Sequence, residues 1–245
     1  MTLLGTHKRT IMFSLIILLS GCATQGTQQS SPLSTMDKDS PEYYVASGYS
    51  FLSNRSTKKA IKEFDKAIDL CQKQHKDREE VIYASRSPVE TLYYMMKAAA
   101  EQKSAVAVAQ TCADALYFKG YAVLDFGELE LAQNLLDQAL SMSPANAMYL
   151  SEVGHIHHIK KSWKEALDVF IKAEDAAETY SPDQVKQKEL TRAKRGIGFS
   201  LIELGRLDEA EVKFNECLEI NPNDKTAKHE LEYIKRLRTN VQGDS

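Results

Sequence analysis

The chain has 245 residues, with 31 Lys and Arg against 34 Asp and Glu, and its formal charge is only −3. Polyanion binding rests on clustered Lys and Arg that neutralise phosphates; here the charges are interspersed, so no nucleic acid is expected as a partner. The sequence also lacks a G-x-S-x-G elbow, a phosphate-binding P-loop and a dinucleotide fingerprint, so neither enzyme chemistry nor a cofactor is expected.

The first 22 residues follow a logic of their own. A basic start at His7, Lys8 and Arg9 leads into an apolar run from Ile11 and then into Leu19-Ser20-Gly21-Cys22. That order reads as an export signal over residues 1–21, because the run is shorter than the ~20 residues a spanning helix needs. Small residues immediately before a cysteine resemble the bacterial lipobox. The resemblance implies cleavage ahead of Cys22 and lipidation of Cys22 with several acyl chains, palmitate among them. Anchoring would then be stable, since one chain alone binds membranes only marginally. Ala23 rather than aspartate follows the cysteine, which by the same resemblance implies the outer membrane, with the protein facing the periplasm. An ordinary export signal or an uncleaved anchor is the alternative. Cleavage removes Lys8 and Arg9 and no acid, taking the charge from −3 to −5.

From Ala23 to Ser40 there is no aromatic residue and little apolar content, so this stretch cannot drive a fold. Residues 22–40 are expected to be a lipidated cysteine and a flexible tether spanning roughly 25 Å.

Beyond residue 40 the chain repeats itself. Glycine is followed twelve residues later by alanine at Gly48 and Ala60, Gly120 and Ala132, Gly154 and Ala166, and Gly198 and Ala210. Four positions further stand Phe64, Leu136, Phe170 and Phe214, and three beyond those Ala67, Ala139, Ala173 and Cys217. Steps of four and three place these residues on one helical stripe. A glycine inside a helix costs about 1 kcal/mol against alanine, so its recurrence marks a close approach of two helices. Gly127 and Gly205 fall at a turn inside their blocks, and Ser143-Pro144 and Asn221-Pro222 close them. Each block is predicted to be a hairpin of two antiparallel amphipathic helices, over 41–74, 113–146, 147–180 and 191–224.

Residues 75–112 are predicted to be a helical segment. Ser87-Pro88-Val89-Glu90 supplies an N-cap, a first-turn proline and a capping-box glutamate ahead of an apolar run reaching about Gln102. Ala105 to Ala109 suits either an extended or a helical segment. The extra residues around Tyr180 to Gln187 form a longer helix or a loop. After Pro222, Asn223 is placed to cap a last helix over 224–238, whose Leu231, Ile234 and Leu237 cover the end of the stack as a solenoid requires; residues 239–245 are a tail.

The 34-residue step from Gly120 to Gly154 is the period of tetratricopeptide repeats, and the blocks resemble that family. Its preferred residues recur at Leu116, Gly120, Ala132, Leu136, Ala139 and Pro144, then at Leu150, Val153, Gly154, Ala166, Phe170 and Ala173. They recur again at Ile197, Gly198, Ala210, Phe214 and Pro222, while the first block has Tyr44, Gly48, Ala60, Phe64 and Ala67 without a closing proline. Lys119 and Lys194 stand where apolar residues are usual, and Glu178 replaces the proline of the third block. The resemblance implies an all-α, right-handed superhelical solenoid over 41–238 with a C-terminal capping helix, a fold whose usual role is to hold another polypeptide.

In that family one face of each first helix lines a concave groove. The corresponding residues here are Tyr117, Tyr121 and Leu124, then Ser151, His155 and His158, then Arg192, Arg195, Phe199 and Ile202. Aromatic and arginine side chains are enriched in binding hot spots, so a protein or peptide partner is expected there. The family's carboxylate clamp needs Lys and Asn where this chain has Val45 and Tyr49, Tyr117 and Tyr121, Ser151 and His155, and Arg195 and Phe199, which disfavours a chaperone-tail receptor. Arg192 and Arg195 remain able to receive a carboxylate.

Once Cys22 is lipidated, Cys71, Cys112 and Cys217 remain, an odd number for an oxidising compartment. No disulfide framework is expected, a bond between Cys71 and Cys112 stays open, and Cys217 is expected to be a small buried residue in place of alanine. His155 and His158 share a helical face, but a structural zinc site takes about four ligands; no metal is expected, and His157 is expected in the core. The function expected is a membrane-anchored periplasmic adaptor that holds a partner of an envelope complex. The alternatives are a ligand- or metal-binding envelope sensor and a self-associating structural lipoprotein, with residues 75–112 as the contact of a homo-oligomer.

Overall fold

A computed structural model describes residues 33–243. The export signal, Cys22 and most of the tether lie outside the described residues. After a short 3-10 turn at Leu33–Thr35 come α1 (Pro41–Ser53), α2 (Thr57–His75), β1 (Val81–Ala84), α3 (Pro88–Ala100) and β2 (Ala105–Val108). Then follow α4 (Thr111–Leu124), α5 (Leu129–Met142), α6 (Ala147–Ile159), α7 (Trp163–Tyr180), α8 (Asp183–Glu203), α9 (Leu207–Ile220) and α10 (Lys225–Gly243). Helices α1 and α2, α4 and α5, α6 and α7, and α8 and α9 pair as hairpins, and each hairpin packs on the next to give an all-α solenoid.

The repeated glycine has a steric cause. A Cβ at Gly48 would lie 2.4 Å from the Phe64 ring, at Gly154 2.7 Å from Phe170 and at Gly198 2.6 Å from Phe214. In the second hairpin Leu136 replaces the phenylalanine, and the same distance at Gly120 is a looser 3.3 Å. The turns inside the hairpins use the left-handed region throughout: Gly127 and Gly205 at φ 73°, and Arg55 and Lys161 in the equivalent places at φ 56° and 57°.

The departures from the repeat pattern resolve into surface pairing. Lys119 reaches Asp65 of α2 at 2.6 Å, and Lys194 bridges Glu174 of α7 and Glu216 of α9. With Glu178 in place of proline, α7 runs on to Tyr180, and the inserted residues lengthen α8 to 21 residues. Cys217 is fully buried with a free thiol.

Residues 75–112 depart most from the expectation of a helical segment. Between the end of α2 and the start of α4 only α3 is helical, capped by Ser87, whose Oγ accepts the Glu90 N–H at 3.2 Å. The strands β1 and β2 lie on either side of it and pair in parallel, Val81 opposite Ala105 and Ala84 opposite Val108. The runs Val81-Ile82-Tyr83-Ala84 and Ala105-Val106-Ala107-Val108 are short and largely β-branched or aromatic, and parallel strands need a crossover of roughly a dozen residues, which α3 supplies. The unit is seated on the inter-hairpin turns: Ser143 Oγ donates to the Ala84 carbonyl at 2.6 Å, and the Ala145 N–H donates to Tyr94 Oη at 3.3 Å.

Cys71 and Cys112 are joined, tying the end of α2 to the start of α4 across the insert. At the other end, Asp224 rather than Asn223 caps α10, its Oδ1 accepting the Thr226 and Ala227 N–H groups at 3.0 and 3.1 Å. Helix α10 continues to Gly243, past the expected end at 238, with Ile234 fully buried against the last hairpin and Leu231 and Leu237 beside it. Among the described residues no helix is long and apolar enough to cross a membrane.

Candidate functional site on the concave face

The first helices of the hairpins, α1, α4, α6 and α8, bring their N-termini to one rim, where Thr111 Oγ1 donates to Glu42 Oε1 at 3.1 Å. Near this rim the concave face is filled by its own partners. Tyr117 stacks on Tyr149 with ring centroids 4.8 Å apart. The Tyr149 hydroxyl donates to Asp114 Oδ1 at 2.6 Å and accepts from Gln110 Nε2 at 2.8 Å. Burial pushes the Asp114 carboxyl up to about 6, against the lowering effect of that hydrogen bond, and pushes the Tyr149 phenol well above its ordinary range. Arg192 pairs with the buried Glu152, and Arg195 Nη1 meets Asp224 Oδ2 at 3.1 Å. From the insert, Arg86 joins Glu90 and Glu189 of α8, each at 2.7 Å, and Ser181 Oγ donates to Glu189 as well.

These contacts correct part of the expected groove. Tyr117, Ser151 and Ile202 are buried rather than lining a surface. The guanidinium groups of Arg192 and Arg195 are already met by Glu152 and Asp224, two acids that the repeat pattern does not specify. Leu124, His158 and Phe199 are half-buried. His158, not His157, is the histidine packed among aromatic rings, with Phe170 at 4.9 Å, Trp163 at 5.8 Å and its Nε2 2.8 Å from Ser200 Oγ. Burial, with smaller contributions from His155 and His157, lowers its pKa to about 4, so the ring is neutral at neutral pH. Among the described residues no group of three or more His, Cys, Asp or Glu side chains converges as a metal site would require.

What stays open is the half of the face toward the C-terminal ends of the first helices. Tyr121 is 42% exposed and His155 is exposed. Tyr49, 54% exposed and 5.4 Å from the Phe118 ring, occupies the same register in α1 and completes the row. It is absent from the expected groove, although the shared register with Tyr121 was its signal. A cavity of about 410 Å³ opens beside Tyr121, lined by Leu52, Ser53, Arg55, Thr57 and Asp125, with Thr57 Oγ1 donating to Asp125 at 3.3 Å. A second cavity, of about 420 Å³, lies behind the disulfide between α2, β1, α4 and α5, with Ile68, Val81, Leu116 and Met142 in its walls.

The tetratricopeptide repeat family pattern matches residues 119–181 and 196–224, so the chain carries tetratricopeptide repeats. Two solved structures share the fold. One is pilF of Pseudomonas aeruginosa, 18% identical with a TM-score of 0.57, over 82% of this chain and 70% of its own. The other is a double mutant of MamA RS-1, 14% identical with a TM-score of 0.53, over 82% of this chain and 85% of its own. At such identities the likeness is one of fold. No curated protein matches the sequence.

Proposed function

We propose that the protein is a membrane-anchored adaptor, held in the periplasm by acyl chains on Cys22, that grips an extended segment of a partner from an envelope complex along the open half of its concave face. The observation that carries this reading is the division of that face. The charged groups near the rim are paired with one another, Arg86 with Glu90 and Glu189, Arg192 with Glu152 and Arg195 with Asp224. Tyr49, Tyr121 and His155, by contrast, offer one exposed ring per first helix at equivalent positions, with the half-buried Phe199 next in the row. Neighbouring helices pack about 8–10 Å apart, and an extended peptide advances about 3.3 Å per residue. The backbone of such a peptide therefore advances by about three residues from one ring to the next. Tyrosine suits this role because it supplies a large contact area with few torsions to immobilise. The anchoring part of the proposal rests on the order of basic, apolar and small residues before Cys22.

A photo-crosslinking amino acid placed in living cells tests the groove. Substituted at Tyr121 or His155, it should capture one discrete partner; at Ile171, on the exposed side of α7, it should capture none. Equal capture at all three positions, or none anywhere, would remove the concave face as the working surface.

A further inference from the structure

Helix α3 is apolar on the face it turns to solvent as well as on much of the face it buries. A helix at the surface of a soluble protein turns an apolar stripe inward and charge outward. In α3 the inward face holds Glu90, Tyr94 and Ala98, all buried, with Glu90 met by Arg86 and the other two packed against Tyr83 and Ala145. The outward face holds Pro88, Val89, Leu92, Met96, Ala99 and Ala100, with Val89 54% exposed and Leu92 and Met96 63% exposed. The helix has one further charged residue, Lys97, and it pairs with Glu101. Among the described residues nothing covers this stripe, and an uninterrupted apolar patch on a folded surface marks a contact.

We propose that α3 is a membrane-docking helix whose outer face rests on the lipid surface to which the chain is tethered; the inference depends on the anchoring at Cys22 proposed above. The place where the chain enters the domain supports this occupant. Ten residues, Ala23 to Pro32, separate Cys22 from the first described turn, and a chain of that length reaches on the order of 20 Å. It enters at the N-terminus of α1, beside the N-terminus of α4 through the Glu42 and Thr111 contact. Strand β2 ends at Val108, just before α4, so the insert leaves from the same rim. The Tyr94 hydroxyl on Ala145 and the stacking of Tyr93 on Tyr180, centroids 4.5 Å apart, fix the inner side of α3 to that rim and turn Leu92 and Met96 away from the solenoid.

Area argues against a second copy as the cover. Helix α3 has 13 residues and is about 20 Å long, with an outer apolar surface on the order of 300 Å². Two copies joined by α3 alone fall well short of the ~1,200 Å² at which stable interfaces begin. A lipid surface imposes no such threshold. The helix is shorter than the ~20 residues that span a bilayer, so it lies flat in the interface, where a short apolar stripe binds weakly by itself. The tether raises its effective concentration and makes a weak contact sufficient. Docking in this way sets the rim against the bilayer and leaves Tyr49, Tyr121 and His155 facing the periplasm.

The full-length protein, extracted from bacterial membranes, is reconstituted into phosphatidylethanolamine and phosphatidylglycerol vesicles with ordinary or brominated acyl chains. Leu92→Trp should lose most of its added emission to the brominated lipid, Ile171→Trp should lose none, and adding Met96→Glu to Leu92→Trp should restore the emission. Flotation with the vesicles without quenching at position 92 overturns the docking and leaves the anchor standing. If the protein fails to float, as Cys22→Ala should, the anchoring fails and the docking fails with it. A doubled mass in detergent-free solution, with position 92 blue-shifted in the absence of lipid, assigns α3 to a second copy and overturns the proposal.

Discussion

Helices α6 and α3 both have 13 residues and both bury a glutamate and a tyrosine, yet they sit in different surroundings and present different outer faces. Helix α6 lies inside the stack and buries Tyr149, Val153 and Ile156 against neighbours of the same kind. Helix α3 lies on the rim, where it meets turns and helix ends rich in carbonyl groups and ion pairs, and it buries Glu90 and the Tyr94 hydroxyl. The repeats hold together through regular apolar packing between neighbours. The insert has only a small apolar cluster of Tyr83, Tyr94, Ala98 and Ala145, to which it adds a few specific polar contacts and a covalent tie at its ends. The two regions should therefore fail in different ways.

The largest effect is expected at Arg86. Replacing it with Ala leaves Glu90 and Glu189 as unpaired buried carboxylates, at a cost of about 3–5 kcal/mol in urea unfolding. Adding Glu90→Gln and Glu189→Gln should recover most of that loss; a small cost for Arg86→Ala alone would show that the insert does not depend on the pair. Next comes the double variant Cys71→Ala and Cys112→Ala. The bond closes a 41-residue separation, for which chain entropy gives about 3–4 kcal/mol. Hydrogen exchange should accelerate in β1, α3 and β2 while α6 to α9 keep their protection, and uniform acceleration would contradict the division between the two regions. The smallest effect sharpens the account of the repeat itself. Gly154→Ala drives a Cβ to 2.7 Å from the Phe170 ring and should cost about 1–3 kcal/mol. Gly120→Ala, at 3.3 Å from Leu136, should change stability by less than about 0.5 kcal/mol, because the gain in helix propensity offsets the tight contact. Equal shifts in melting midpoint would exclude the aromatic contact as the reason for the glycine.

Much of the solenoid was legible because its signals are local. Gly154, Ala166 and Phe170 lie within a single hairpin, and the same spacing returns in the others. The Ser87 cap was legible for the same reason. The capping of α10 was not, since Asn223 and Asp224 are adjacent and both able to cap, and the backbone geometry selects Asp224. Within the groove, register placed Tyr121 and His155 on the exposed face. It could not show that Arg192 and Arg195 are already occupied, because Glu152 lies 40 residues from the first and Asp224 lies 29 residues from the second.

By itself the sequence determined that the chain folds as helix hairpins, where those hairpins turn, and which small residues let them approach, since each of these depends on periodicity within one or two helices. Only the tertiary structure decided that two four-residue runs pair as strands, that Cys71 meets Cys112, that half of the concave face is closed, and that α3 turns an apolar side outward. Each of these rests on groups far apart in the chain, Arg86 and Glu189 at a separation of 103 residues among them. Such contacts exist only once the stack has formed the rim that brings them together.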